Sequence, residues 1–63
     1  MKKGDTVYTP RFCTVVITEV YEDPCKAFQE GYKEPTHYAK DPEYEILGKN
    51  IGDNRMAFAA IRK

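Results

Sequence analysis

The last third of the chain, Tyr44 to Lys63, holds two short apolar runs, Tyr44–Leu47 and Met56–Ile61, on either side of the stretch GKNIGDN. Apolar runs of that length separated by Gly, Asn and Asp specify a β-hairpin. In a chain of 63 residues this one feature points to a small twisted antiparallel sheet or barrel, and it brings no catalytic apparatus with it.

The segments upstream extend the pattern. Gly4 and Asp5 make a turn before a short strand, Thr6–Thr9, which Pro10 stops because it cannot donate to a ladder. FCTVVITEVYED is the longest β signal, with β-branched Val15, Val16, Ile17 and Val20 supported by Thr14 and Thr18. Simple alternation puts Phe12, Thr14, Val16, Thr18 and Val20 on one face and Cys13, Val15, Ile17, Glu19 and Tyr21 on the other.

The period changes in DPCKAFQEGY. Asp23 is suited to an N-cap, Pro24 to the first helical position and Gly31 to the left-handed residue after the last turn, so a helix of about 24–30 is expected. Cys25, Phe28 and Tyr32 then form one apolar stripe. After Pro35, THYAKDPEYEIL reads as a strand, a turn at Lys40 to Pro42 and a second strand, with Tyr44 and Ile46 on a dry face and Glu43 and Glu45 on a wet one. In RMAFAAIRK, Ala57, Ala59 and Ile61 share a face whose small residues invite close approach by the helix. The expected fold is one domain, 1–63, mainly β (α+β). It is a small SH3-like barrel or roll of about five antiparallel strands with one short helix.

A domain of this size buries only roughly 60% of its unfolded surface, and its larger apolar supply is five Tyr and three Phe, without Trp. Self-association or a standing partner would suit so thin a margin. Ten basic residues balance ten acidic ones, so no net field draws the chain to nucleic acid or to an anionic membrane. Lys2, Lys3, Arg62 and Lys63 would merge into one basic edge if the first and last strands were neighbours; lysines in such places discourage edge-to-edge aggregation. No apolar run approaches the ~18 residues of a membrane span, and Met1 leads straight into KKGDTVY, so a cytoplasmic protein is expected. In that compartment Cys13 and Cys25 are expected as free, packed thiols.

Sites of known chemistry fit poorly. His37 is the only histidine, and Cys13, Cys25 and His37 lie at spacings that match no zinc finger or knuckle. Cys25 in a first helical turn would favour a thiolate, but its place on the stripe with Phe28 and Tyr32 favours packing. The neighbouring carboxylates Glu22 and Asp23, and Glu43 and Glu45, read as a solvated face. LGKNIGDNR lacks the phosphate-loop spacing and precedes a strand, so Gly48, Asn50, Gly52, Asp53 and Asn54 are better assigned to turn geometry. Tyr8, Tyr21, Tyr38 and Tyr44, with Arg11, Lys40 and Lys49, make a conceivable stacking platform for single-stranded nucleic acid.

GDTVYTPRFCTV, EGYKEPTHY and LGKNIGDNRMAFAAI together resemble small uncharacterised proteins of phages and conjugative elements from anaerobic gut bacteria. The resemblance covers nearly the whole chain. HYAKDPEYEILG is also similar to the HYKG–YEVLG segment of a separate family of small β proteins of unknown function. Neither resemblance supplies catalytic residues; the first implies a mobile-element setting. The expected function is a non-enzymatic accessory module, without cofactor or metal, that binds a protein partner such as a host defence complex or a conjugation or replication factor. Tyr38, Tyr44, Lys49, Asn50, Asp53 and Arg55 are the candidate contact residues, because Tyr and Arg are enriched at protein interfaces. A small nucleic-acid-binding barrel is the alternative, and a structural subunit of a larger assembly the third reading.

Overall fold

A computed structural model describes residues 1–37 and 41–63. Five strands and one helix follow in the order β1 (Thr6–Thr9), β2 (Cys13–Tyr21), α1 (Pro24–Gln29), β3 (Glu34–Pro35), β4 (Tyr44–Gly52) and β5 (Arg55–Arg62). They form one sheet, ordered β1-β2-β5-β4-β3, curled into a half-barrel. The class is the expected one, mainly β with a short helix. One pairing departs from it: β2 and β5 run parallel, whereas β1–β2, β3–β4 and β4–β5 are antiparallel. The helix is the reason. It carries the chain back after β2, so β3 starts in the same sense as β2, and two reversals later β5 does too.

The closing hairpin forms with a shorter loop than its composition suggests. β4 continues to Gly52, and Asp53 and Asn54 alone make the turn, both with positive φ (43° and 63°) as a tight two-residue connection needs. Gly48 therefore sits inside a strand. A Cβ there would lie 2.9 Å from Met56 Cε and 3.2 Å from Phe58 Cε1, both of which would have to shift, so packing and not turning favours glycine at this position. Ile51 is the extra residue of a bulge, and Asn50 Oδ1 accepts the Gly52 N–H at 2.8 Å across it.

Two apolar clusters cover the two faces of the sheet. Val15, Ile17, Tyr44, Ile46, Phe58 and Ala60 fill the inside of the curl, with Met1, Val7, Phe12, Val20 and Met56 at the margin. Ala27, Tyr32, Leu47, Ala59 and Ile61 form the second cluster, beneath the helix. The small face of β5 thus receives the helix as expected, Ala59 against Ala27. Simple alternation fails just before β2, where Phe12 packs with the Val15 and Ile17 cluster and not on the face of Thr14 and Val16, the left-handed Cys13 (φ 62°) standing between them, and it fails again within the strand. Thr18 is an extra residue between Ile17 and Glu19, and its Oγ1 donates to the Phe58 carbonyl at 2.9 Å, where the ladder is interrupted. Beyond that bulge the parity changes, so Val20 joins Val15 and Ile17 while Tyr21 turns to the helix side.

The helix has its expected limits and a different buried face. Asp23 caps it by accepting the Cys25 N–H at 2.9 Å. At the far end Gly31 (φ 97°) donates to Phe28 O at 3.0 Å and Tyr32 to Ala27 O at 3.0 Å, which is the Schellman arrangement. That left-handed turn breaks the helical count between Phe28 and Tyr32. Tyr32 is buried, but Cys25 is exposed and Phe28 is 55% exposed, and Ala27 is the helix's buried residue. Of the strand expected after Pro35, Thr36 and His37 are not in a strand, and the rest lies outside the described residues. β3 is Glu34–Pro35, paired with Gly48 and Leu47, and Thr36 is held by its Oγ1 donating to Ile46 O at 2.7 Å. Tyr38 and Lys40, and with them the start of the expected turn, lie outside the described residues. The first and last strands are not neighbours, since β2 separates β1 from β5. The four terminal cations therefore do not share a strand edge.

Candidate functional site

The half-barrel has a seam between β1 and the first part of β4. At its lower end the β1–β2 turn is tied to β3, where Arg11 Nη1 donates to Pro35 O at 3.1 Å and approaches Glu34 Oε2 at 3.5 Å. The turn itself is held by Thr9, which is fully buried. Its Oγ1 accepts the Phe12 N–H and donates to Cys13 O, each at 3.0 Å.

At the upper end the described residues leave a cleft of about 430 Å³ lined by Met1, Asp5, Thr6, Val7, Asp41, Glu43 and Tyr44. Its rim is acidic. Asp5 Oδ2 accepts the Lys2 N–H at 2.9 Å, and Asp41 Oδ1 accepts those of Glu43 and Tyr44 at 2.8 and 3.0 Å. These bonds fix the carboxylates without neutralising them.

Among the described residues nothing pairs with the outer edge of β1. Ile17 N–H donates to Asp5 O at 2.8 Å, which with the register Thr6↔Val16, Val7↔Val15 and Tyr8↔Thr14 makes Val7 the hydrogen-bonded partner of Val15. By the antiparallel alternation, Thr6 and Tyr8 then direct their N–H and C=O away from β2. Thr6, Tyr8, Thr14 and Val16 share one face of this hairpin. All are exposed, Tyr8 at 62% and Val16 at 53%, and none is charged.

The contact residues expected from sequence do not make one surface. Tyr44 is only 8% exposed, and it is a core residue that also walls the cleft. Its hydroxyl accepts a hydrogen bond from Arg62 Nη1 at 3.2 Å, with the guanidinium 5.6 Å above the ring. Lys49, Asn50, Asp53 and Arg55 lie toward the other end of β4, from roughly 16 Å away at Lys49 to roughly 26 Å at the tip, at ~3.3 Å per residue. Lys49 is half-buried with Nζ 5.1 Å from the Tyr32 ring centre, and Asn50 serves the bulge, which leaves Asp53 and Arg55 as an open tip. Tyr38 is among the residues not described. Sequence reasoning missed Asp5, Asp41 and Glu43, because only the curl of the sheet brings Asp5 beside residues 41–43.

Other sequence candidates are placed apart from this cleft. Cys13 and Cys25 are both free and both exposed, not packed, and His37 is exposed in a left-handed conformation (φ 60°). Of the described tyrosines in the conceivable stacking platform, Tyr21 packs against Tyr32 with ring centres 5.8 Å apart and Tyr44 is buried, so Tyr8 alone offers an open ring. Arg11 and Lys49 are engaged within the fold, and Lys3 pairs with Glu19 at 3.3 Å.

Together the fold and the cleft define a small mixed-sheet half-barrel with an acidic seam and, among the described residues, an unpaired outer edge on β1. Comparison with protein-family models, with curated proteins and with solved structures gives no match. No helix among the described residues is long and apolar enough to cross a membrane.

Proposed function

We propose that this chain is a non-enzymatic accessory module that binds a protein partner along the β1 edge and the adjoining cleft. The observation that carries this reading is the coincidence of outward-facing Thr6 and Tyr8 amides with an uncharged exposed face, Thr6, Tyr8, Thr14 and Val16, beside an open cleft. Strand addition to a bare edge is a common mode of protein recognition: the backbone supplies affinity and alternate side chains supply specificity. The acidic rim supports a protein partner over a phosphate backbone, which Asp5, Asp41 and Glu43 would repel. The resemblance to proteins of phages and conjugative elements adds a setting, in which the partner is a component of a host defence complex or a conjugation or replication factor.

The test is affinity capture from the native host with the wild-type chain and Thr6→Pro in parallel. Thr6 N–H points away from β2, so proline there removes an outer donor and no ladder bond. A single protein retained at physiological salt by the wild type and lost by Thr6→Pro is the expected result. Retention of nucleic acid that falls steeply with salt would favour the nucleic-acid alternative. Equal retention by both chains would move the docking surface elsewhere.

A further inference from the structure

Met1, Val7 and Tyr44 give the cleft apolar walls beneath the carboxylates of Asp5, Asp41 and Glu43. Among the described residues no Lys or Arg side chain lines it. Lys63 stands at the margin, its Nζ donating to the Asp41 carbonyl at 2.9 Å. The ion pairs found among the described residues, Lys3–Glu19 and Arg11–Glu34, involve none of the three rim carboxylates, although Arg62, on the Tyr44 hydroxyl, brings positive charge toward Glu43.

An extended segment paired with Thr6 and Tyr8 would point alternate side chains to opposite faces. One set would lie over Thr6, Tyr8, Thr14 and Val16, and the other over the cleft. A long basic side chain in the second set would lay its stem on Val7 and Tyr44 and carry its charge to the rim. A second copy of this chain fits badly. Antiparallel self-pairing about Val7 matches Thr6 with Tyr8 of the other copy and sets the second Val7 over the cleft, and Thr6–Thr9 carries no basic side chain to meet the rim.

Resting on the protein-binding reading above, we infer that the β1 edge takes an extended strand of the partner protein bearing Lys or Arg over the cleft, where Asp5, Asp41 and Glu43 receive it. Charge complementarity selects this occupant.

Selection of a random heptapeptide display library on the immobilised full chain tests it. Enriched peptides are then measured against wild type, Thr6→Pro and the double variant Asp5→Asn with Glu43→Gln. Alternating β-branched or aromatic residues with Lys or Arg are the expected enrichment. Binding should weaken about tenfold in Thr6→Pro through loss of strand pairing, and about fivefold in the double variant and at raised salt. Neutral or acidic enriched peptides that still lose binding in Thr6→Pro overturn the basic-strand inference and leave the protein-docking reading standing. An absence of enrichment, or peptides bound equally by Thr6→Pro, overturns both. Thermal unfolding reports whether each variant is folded, and the double variant supplies an independent reading should Thr6→Pro fail to fold.

Discussion

Thr9 has no exposed surface, and its single hydroxyl serves both sides of the β1–β2 turn, accepting from Phe12 N–H and donating to Cys13 O. Replacing it with isosteric valine removes both part-buried hydrogen bonds and leaves the Phe12 N–H without its partner. Thr9→Val should therefore destabilise the fold by about 1–3 kcal/mol in urea unfolding, and a change within error would contradict the role given to the hydroxyl. Cys13, four residues on, has the opposite character. It is exposed and holds φ 62°, a conformation that a Cβ disfavours by roughly 1–2 kcal/mol. Glycine removes that strain but loses more chain entropy on folding, so Cys13→Gly should leave the midpoint unchanged or raise it, by less than about 1 kcal/mol. Neither role was legible in the sequence. Threonine suits any strand, and a left-handed cysteine has no compositional marker, whereas Gly31 announced its own left-handed φ.

At the scale of elements, local chemistry made the helix limits and the hairpin readable. Asp23, Pro24 and Gly31 carry their positions in their residue types, and Asp53-Asn54 is turn chemistry wherever it occurs. What could not be read is whatever the turn does next. The Schellman turn at Gly31 redirects Tyr32, so a stripe counted through it wrongly buries Phe28 and Cys25. The bulge at Thr18 likewise reverses the faces of β2, because its cause is a carbonyl on β5, forty residues away in sequence. Gly48 shows the same limit, looking like a turn glycine and serving as a packing one. Gly48→Val should force Met56 Cε and the Phe58 ring to move and cost about 1–3 kcal/mol. The measurement is the denaturation midpoint of that variant beside Gly52→Ala, where no packing neighbour lies within 4 Å and the penalty comes from positive φ alone.

For the whole molecule, the parallel β2–β5 pair decides where the site lies. It places β5 centrally, leaves β1 at an edge and brings Asp5 to Asp41 and Glu43, none of which follows from strand propensities. Fold class was legible because it needs only the strands; the site was not, because it needs their order. The same packing sets a response to pH. Burial pushes the Tyr21 phenol up, and Tyr32, Glu30 and Glu19 add to the effect. A neutral phenol held in the folded state contributes stability that is fully present below the unfolded value of about 10 and is lost as pH rises through the higher folded value. The decline in stability above about pH 10 should accordingly be shallower in Tyr21→Phe than in the wild type, as thermal unfolding across that range would reveal. The central claim is that β1 offers its outer edge to a partner strand. Residue-resolved amide hydrogen exchange, on the chain alone and with the bound partner segment, tests it most directly. Thr6 and Tyr8 should exchange rapidly in the free chain and become markedly protected in the complex, with Asp53 and Arg55 unchanged. Protection confined to the Lys49–Arg55 tip, with Thr6 and Tyr8 unaltered, would contradict it.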